Sequence, residues 1–179
     1  MKQNEGLSLI ELIVIIAIMT VLISVVGISM TVISRQKVSN AAEDVKVLFQ
    51  TAQTIAMSKD NCHIAISQNS SNETVFTLYS SVNNNELNKV TLNKKVEVSI
   101  LVGGSTYNIE NVDVVRIYYD RVSGSFDKMY WSGNSTLSGE SGKGDEIPGN
   151  GITGIKFSNT GGSSEITIKL TKLTGRVSY

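Results

Sequence analysis

The chain has 179 residues, enough for one apolar segment and one modest domain. Lysine plus arginine and aspartate plus glutamate number 16 each, so the formal net charge is +0 at pH 7, which excludes the strongly basic balance of many nucleic-acid-binding proteins. The only cysteine, Cys62, and the only histidine, His63, exclude an intrachain disulfide and a structural zinc site built by one chain.

The N-terminal part of the chain is a polar leader followed by a long apolar run. The leader, residues 1–6, ends in Gly6, and the run from Leu7 to Ser34 carries no charge except Glu11. A helix over this run would be about 40 Å long and would exceed the hydrocarbon core of a bilayer, which is about 30 Å thick. We therefore expect residues 7–34 to form a transmembrane and assembly half of a helix. A carboxylate in such a run is costly and needs a partner or a function.

This N-terminus resembles that of type IV pilins and pseudopilins, the class III signal peptide family. The matching residues are Gly6, the segment Leu7-Ser8-Leu9-Ile10, and Glu11. The resemblance implies that a prepilin peptidase cleaves between Gly6 and Leu7 and then N-methylates Leu7. It also implies that Glu11 meets the new α-amino group of a neighbouring subunit during filament assembly, because such a pair neutralises both charges inside an apolar helix bundle.

Two other interpretations explain the hydrophobicity alone. An ordinary secretory signal has a shorter apolar core and a small-residue cleavage site, which are not found here. A plain signal anchor gives no role to Gly6 or Glu11. The positive charges Lys2, Arg35 and Lys37 lie on both sides of the run and leave its orientation undetermined. From the resemblance we expect a single-pass protein of the cytoplasmic membrane with an extracytoplasmic head, which later enters a filament at the cell surface or in the periplasm.

Residues 35–59 are predicted to continue the helix as an amphipathic half. Apolar residues recur at steps of three and four, and charged residues occupy the other side. No proline interrupts residues 7–58, so the two halves are expected to form one helix of about 75–80 Å. The apolar positions are Val38, Ala41, Ala42, Val45, Leu48, Phe49, Ala52, Ile55 and Ala56.

Residues 60–179 have the pattern of a β-rich head, with short β-branched or aromatic runs between polar turns. Residues 132–151 are glycine-rich, contain the only proline, Pro148, and are predicted to form a long surface loop. The fold class expected is α+β, with a long N-terminal helix, half transmembrane and half amphipathic, packed on this head. The predicted strands are Cys62–Ser67, Val75–Ser80, Val96–Val102, Val112–Asp120, Phe126–Trp131, Ile152–Phe157, Glu165–Leu170 and Gly175–Tyr179.

The sequence gives little support for catalysis. Cys62 and His63 are adjacent, and neighbouring residues of a strand point to opposite faces, so a cysteine–histidine dyad is geometrically poor. The alternation of Cys62, Ile64 and Ile66 predicts that Cys62 lies in the core and His63 at the surface. We expect the protein not to be an enzyme.

The long loop contains patterns that only superficially match binding sites. The glycines at 149–154 lack the strand-to-helix context of a dinucleotide site, and those at 142–144 lack the glycine spacing and the Ser/Thr of a phosphate loop. Asp145 and Glu146 could offer oxygen ligands to calcium, but the spacing of a calcium loop is absent. Solvated loop charge is the favoured interpretation, and we expect no metal site and no cofactor.

The tail looks like the end of the H-type pseudopilin and FimT-like minor pilin group, which closes with strands and a Gly-Arg-Val segment, here Gly175-Arg176-Val177. FimT-like minor pilins can bind DNA during natural transformation, and the tail carries a mild basic excess. Cations spread over residues 156–176 make a weak phosphate-binding cluster, and a solvated strand face gives the same pattern. The candidate DNA contacts are Lys156, Lys169, Lys172 and Arg176.

These patterns indicate a pilin-like structural subunit of a type IV pilus, type II secretion or competence filament. The lack of a proline in the apolar half and of paired C-terminal cysteines favours a minor pilin, a pseudopilin or a pilin from a monoderm. The expected partners are prepilin peptidase/methyltransferase, other pilin or pseudopilin subunits, an inner-membrane assembly platform and, before assembly, membrane lipid. The alternatives are a DNA-binding minor pilin for natural transformation and a signal-anchored extracytoplasmic binding domain that does not assemble.

Overall fold

The computed structural model describes residues 8–58, 60–80, 84–111, 114–132, 145–147, 151–162 and 164–179, without the side chains of residues 24–31. Gly6, Leu7 and most of the predicted loop, namely 133–144 and 148–150, lie outside the described residues. The described chain begins with one long helix, α1 (Leu9–Met57), and continues mainly as β-structure with one short 3-10 helix (Ile109–Asn111). The strands are β1 (Cys62–Gln68), β2 (Thr74–Ser80), β3 (Glu86–Thr91), β4 (Val96–Val102), β5 (Ser105–Asn108), β6 (Val114–Tyr119), β7 (Phe126–Ser132), β8 (Asp145–Glu146), β9 (Ile152–Asn159), β10 (Glu165–Thr171) and β11 (Arg176–Ser178).

The strands form two antiparallel sheets. The six-stranded sheet has the order β3-β2-β1-β6-β7-β8, and the five-stranded sheet has the order β11-β10-β9-β4-β5. The hairpin of β4 and β5 therefore leaves the first sheet after β3 and joins the second, and the chain then returns to the first sheet at β6. Adjacent strands in both sheets are paired antiparallel.

The second part of α1 supplies one wall of the core. Its predicted apolar stripe from Val38 to Ala56 is buried, except that Ile55 is only partly buried. The helix contacts strands of both sheets, including β1 in the first and β9 and β10 in the second. Phe49 of the helix is fully buried and packs edge-on against Phe126 of β7, with 6.2 Å between the ring centroids. This aromatic contact joins the helix to the first sheet inside the core.

The inner faces of the two sheets meet in the same core as the helix stripe. Cys62, Ile64 and Ile66 of β1 are 0–1% exposed, which confirms the predicted inward face of this strand. From the second sheet, Ile155 and Phe157 of β9 are fully buried. The predicted helix face and the predicted inward position of Cys62, Ile64 and Ile66 are therefore confirmed.

The predicted α+β fold class with a transmembrane helix half is wrong. The described head is mostly β, built from two antiparallel sheets on one face of α1. The described side chains of the helix fall into two portions, 9–23 and 32–57. The side chains of the first portion are apolar except for a few such as Glu11. The second portion carries charges such as Arg35 and Asp44.

Across the described residues, no helix is long and apolar enough to cross a membrane. This finding does not fit the expected single-pass anchoring in the cytoplasmic membrane. The hydropathy of the run predicted the helix correctly but gave no information on what surrounds it.

A single side chain on α1 joins turns from both sheets. Gln53 Nε2 donates to the carbonyl of Gly124, in the turn between β6 and β7, at 3.3 Å, and to the carbonyl of Thr174, in the turn between β10 and β11, at 2.7 Å. The two turns touch at their glycines, because a Cβ added at Gly175 would lie 1.9 Å from the carbonyl oxygen of Gly124. Gly175 also has φ +61°, a left-handed backbone conformation that residues other than glycine adopt only at a cost in free energy.

Gly175→Ala is therefore expected to destabilise the head strongly. Gly103→Ala is the matched control, because Gly103 has φ +57° and nothing within 4 Å of an added Cβ. The control should lose about 1–2 kcal/mol of unfolding free energy from backbone strain alone. Gly175→Ala should lose at least about 2 kcal/mol more, because backbone must move to relieve the clash. Urea unfolding of both variants measures the difference, and equal losses would contradict the proposed close contact.

Candidate functional site

Glu11, the predicted assembly residue, caps the start of its own helix. Its Oε2 accepts a hydrogen bond from the backbone N–H of Ser8 at 3.0 Å, with Ser8 as the N-cap residue and Glu11 three positions later. This arrangement satisfies one of the backbone donors that a helix leaves unpaired at its start. Sequence reasoning missed this role, although the spacing Ser-x-x-Glu is its known signature. The predicted processing residues Gly6 and Leu7 lie outside the described residues.

The helix portion around Glu11 exposes apolar side chains on all sides. Twelve large apolar residues between Leu9 and Ile23 are 45–77% exposed. A helix that is apolar all round is normally buried, either in the core of a large protein or in a membrane. Exposed contiguous apolar surface of this kind marks a surface that binds another apolar surface. This segment is therefore the candidate assembly site, with Glu11 as its only described charge.

The structure brings three of the four candidate cations onto one surface, the outer face of the five-stranded sheet. Lys156 pairs with Thr167 across β9 and β10, Lys169 pairs with Gly154, and Arg176 pairs with Thr171. Directly paired residues share a face, and these alternate with fully buried Ile155 and Ile168 on the inner face. Lys172 lies instead in the turn between β10 and β11.

The positive charge of this outer face is reduced by carboxylates on the same face. Lys156 Nζ lies 2.7 Å from Glu165 Oε2 in an ion pair. Glu97 of β4 lies on the same face, because it pairs with Ser158, which is opposite Glu165. The convergence of the cations therefore does not produce the clustered charge that binding to phosphates needs.

The C-terminal strand is fastened to the helix by a small polar cluster. The hydroxyl of Tyr179 donates to Glu43 Oε2, and Lys46 Nζ lies 4.2 Å from the centre of the Tyr179 ring. Burial, followed by the hydrogen bond to Glu43, raises the pKa of Tyr179 to about 12. The neighbouring cleft between α1 and β11, about 580 Å³, is lined by Gln50, Gln53, Thr171, Thr174, Arg176, Val177 and Ser178. This lining contains no pairing of a nucleophile with a base.

Cys62 and His63 do not form a catalytic dyad, as expected from their opposite directions on β1. Cys62 Sγ donates to the carbonyl of Ala52 at 3.2 Å, and burial raises the pKa of its thiol to about 11. A thiol held protonated in this way is a poor nucleophile at neutral pH. Cys62 is thus a buried structural residue.

The prediction that His63 lies at the surface is wrong, because only 6% of it is exposed. His63 lies on the outer face of the first sheet, between Tyr79 of β2 and Tyr118 of β6, with ring centroids 5.3 and 4.8 Å away. Burial, and then the charge of Arg116, lowers the pKa of His63. The period-2 pattern identified the face correctly but not the burial, which comes from aromatic neighbours on adjacent strands.

The described residues contain no group of three or more histidine, cysteine, aspartate or glutamate side chains that could hold a metal ion. Asp145 and Glu146, which were considered as calcium ligands, form the short edge strand β8 and pair with Trp131 and Tyr130. The remainder of the glycine-rich loop lies outside the described residues.

Comparison with known proteins does not assign the chain to a family. No protein-family model, no curated protein and no solved structure matches it.

The stacking of His63 predicts that the head becomes less stable in acid. The folded pKa of His63 lies below its usual 6.5, so below that pH the unfolded chain binds more protons than the folded one. The contribution of His63 to the free energy of unfolding is fully present above pH 6.5 and is lost as the pH falls through the lowered pKa of the folded state. His63→Phe, which keeps a ring in the stack but cannot titrate, should show a smaller drop in melting temperature between pH 7 and 5. An equal drop in both proteins would contradict this account.

Proposed function

We propose that this chain is a pilin-like structural subunit whose N-terminal helix packs against equivalent helices of neighbouring subunits in a filament. The observation that supports it most directly is the exposed, uniformly apolar helix portion Leu9–Ile23 next to a folded β head. The proposal also rests on the resemblance of Gly6, Leu7 and Glu11 to the processing and assembly residues of type IV pilins and pseudopilins.

The exposed apolar helix explains why assembly is favourable. Fully burying one large aliphatic side chain stabilises the state in which it is buried by about 1.5–3 kcal/mol. Burial of the twelve side chains between Leu9 and Ile23 can therefore supply on the order of 10 kcal/mol, even though each is already partly covered by its own helix. Because these side chains lie on every side of the helix, several neighbouring helices are needed to cover them.

Glu11 can serve both its own helix and a neighbouring subunit. A carboxylate has two oxygens and about four lone-pair positions, so the Ser8 hydrogen bond at Oε2 leaves capacity for an incoming amine. A processed neighbour that begins at Leu7 would supply an α-amino group of opposite charge. In an apolar bundle such a pair sets the register of the helices, because one misplaced charge is costly there.

Proteolytic processing is the first test of this proposal. Mass spectrometry of the protein purified from its host should find a chain that begins at N-methylated Leu7. Gly6→Leu should leave the leader attached, because a peptidase that approaches the backbone closely at this position has no room for a side chain. An intact Met1 in the natural protein would contradict the proposal and favour a domain that does not assemble.

Replacement of Glu11 tests its role in assembly separately from processing. Glu11→Ala should be processed normally but should enter filaments about tenfold less, because the neighbouring amine stays unpaired in an apolar environment. Glu11→Gln can still cap the helix but has no charge, so an equally low incorporation would assign the effect to the charge and not to the cap. Asp44→Asn, an exposed carboxylate elsewhere on α1, is the matched control. Normal incorporation of Glu11→Ala, measured in sheared filaments, would contradict the proposed pairing.

DNA binding by the tail is the second candidate function. It is favoured by the shared outer face of Lys156, Lys169 and Arg176, and opposed by the ion pair of Lys156 with Glu165 and by the overall charge balance. The structural role accounts for more of the chain, because it also explains the exposed helix. If DNA were the ligand, its affinity would fall steeply with salt concentration and with the loss of Arg176.

A further inference from the structure

A small cavity lies where α1 enters the head, at the end from which the exposed apolar part of the helix extends. Its volume is about 80 Å³, and we call it the junction pocket. Val38 and Val96 in its wall are buried, whereas Lys37 and Lys95 are exposed, so the pocket combines apolar walls with cationic side chains that reach solvent. The residues that line it include Ile33, Lys37 and Val38 of α1, Lys95 and Val96 at the start of β4, and Asn159 at the end of β9.

Hydrogen bonds fix the backbone on the sheet side of the junction pocket. Asn93 Oδ1 accepts from the N–H of Lys95 at 3.0 Å, and the Asn93 carbonyl accepts from the N–H of Val96 at 2.8 Å. The N–H and the hydroxyl of Thr160, in the turn after β9, both donate to the carbonyl of Lys95, at 3.1 and 3.2 Å. Val96 also pairs with Asn159 across β4 and β9. This side of the pocket is therefore formed before any ligand arrives.

The segments that supply the walls carry cations and no carboxylate. They are residues 33–38, 92–96 and 157–162, and the last of these is uncharged. The chain as a whole has 16 cations and 16 acidic residues, so the positive charge here is a local excess. The ion pairs found among the described residues involve neither Lys37 nor Lys95. The cations in the wall segments are Arg35, Lys37, Lys94 and Lys95, and all four are exposed.

The junction pocket adjoins an apolar surface on the same helix. Ile33 lines the pocket and is itself 50% exposed, and the preceding residue, Val32, is 60% exposed. In the sequence, residues 12–34 contain no charged side chain. A ligand with an anionic head and an apolar tail would match both the cationic pocket and the helix surface beside it.

The size of the pocket restricts the anionic group that it can hold. A volume of about 80 Å³ compares with about 30 Å³ for each molecule of liquid water, so a group of a few heavy atoms such as a phosphate fits and a peptide segment does not. Lysine ammonium groups bind phosphate as point charges. Duplex DNA is a poor match, because its affinity depends on contacts with many phosphates and a single pocket takes one.

We propose that the junction pocket binds the phosphate headgroup of an anionic phospholipid. Lys37 and Lys95 contact the phosphate oxygens, and Arg35 and Lys94 add to the positive potential around them. The acyl chains lie along the uncharged helix surface that begins at Ile33, and this contact does not require the helix to cross a bilayer. The headgroup site uses no residue of the segment Leu9–Ile23, so it stands apart from the filament proposal.

The test compares binding of the full chain to two kinds of vesicle by co-flotation. One is phosphatidylcholine alone, and the other also contains about one third phosphatidylglycerol. Because the apolar helix contributes to binding in both cases, the ratio of the two affinities isolates the headgroup. The natural chain should bind the anionic vesicles at least about tenfold more tightly, since each lysine at such a surface contributes roughly fivefold, and the preference should shrink with added salt.

Paired substitutions separate the pocket from general charge. Lys37→Gln with Lys95→Gln should lose most of the preference, whereas Lys37→Arg with Lys95→Arg keeps both charges and should retain most of it. Lys89→Gln with Lys128→Gln removes two exposed lysines on β3 and β7 and is the matched control, which should behave like the natural chain. Melting temperatures check folding, and each single glutamine change, with about half of the effect, replaces the pair if the pair unfolds.

Equal binding of the natural chain to both vesicles would overturn the proposal, and so would equal losses in the pocket pair and the control pair. Melting temperatures in sodium phosphate and in sodium chloride of the same ionic strength distinguish a free anion from a lipid. Stabilisation by phosphate that needs Lys37 and Lys95, without a preference between vesicles, would assign the pocket to a free anion and overturn the lipid assignment. Duplex DNA that displaces the natural chain from anionic vesicles through the same two lysines would assign it to nucleic acid and also overturn it. None of these outcomes depends on filament formation, so the filament proposal is tested separately.

Discussion

Burial of one face of helix α1 against two sheets is the interaction on which the rest of the head depends. An amphipathic helix is marginal by itself, and each sheet alone would leave an apolar face in water. Because strands of both sheets pack on the helix face from Val38 to Ala56, the apolar face of the helix and those of the two sheets are buried together. Gln53 and the carbonyls it binds then fix the far ends of the sheets relative to the helix. The outer face of the first sheet, with the stack around His63, is positioned by this arrangement.

The same helix has two different relations to its surroundings. Over the second part, the apolar stripe from Val38 to Ala56 lies on one side, and the head buries all of it except part of Ile55. Over Leu9–Ile23 every side is apolar, and nothing in the described chain covers it. The same helix therefore combines an apolar face that the head buries with an apolar segment that stays exposed. In the proposed filament, Glu11 would set the register of this segment, because a helix of aliphatic side chains alone has no preferred register.

Periodic features of the head could be predicted from the sequence, whereas features that depend on neighbouring strands could not. The helix stripe and the inward position of Cys62 follow from periods of 3.6 and 2 and were predicted correctly. Strand β3 was missed because its sequence, Glu-Leu-Asn-Lys-Val-Thr, is that of an exposed, charged edge. Strand β5 had a usable signal, the two-residue Gly103-Gly104 hairpin turn with φ +57° and +89°. The transmembrane half was inferred from hydropathy alone, which does not distinguish a lipid environment from a protein one.

In the proposed filament, the continuity of α1 from Leu9 to Met57 would also determine how the chain carries mechanical load. A pull on the N-terminal part of the helix is transmitted along its axis into the part that lies against both sheets. The load then acts in shear on the whole buried face, so that many side-chain contacts must slide together before any one separates. The bonds of Gln53, near the far end, would be strained only after the helix has shifted lengthwise. In the proposed filament, the chain would therefore resist a pull along α1 better than peeling of its own tail, where the described contacts of Tyr179 are a hydrogen bond to Glu43 and the contact of Lys46 with its ring.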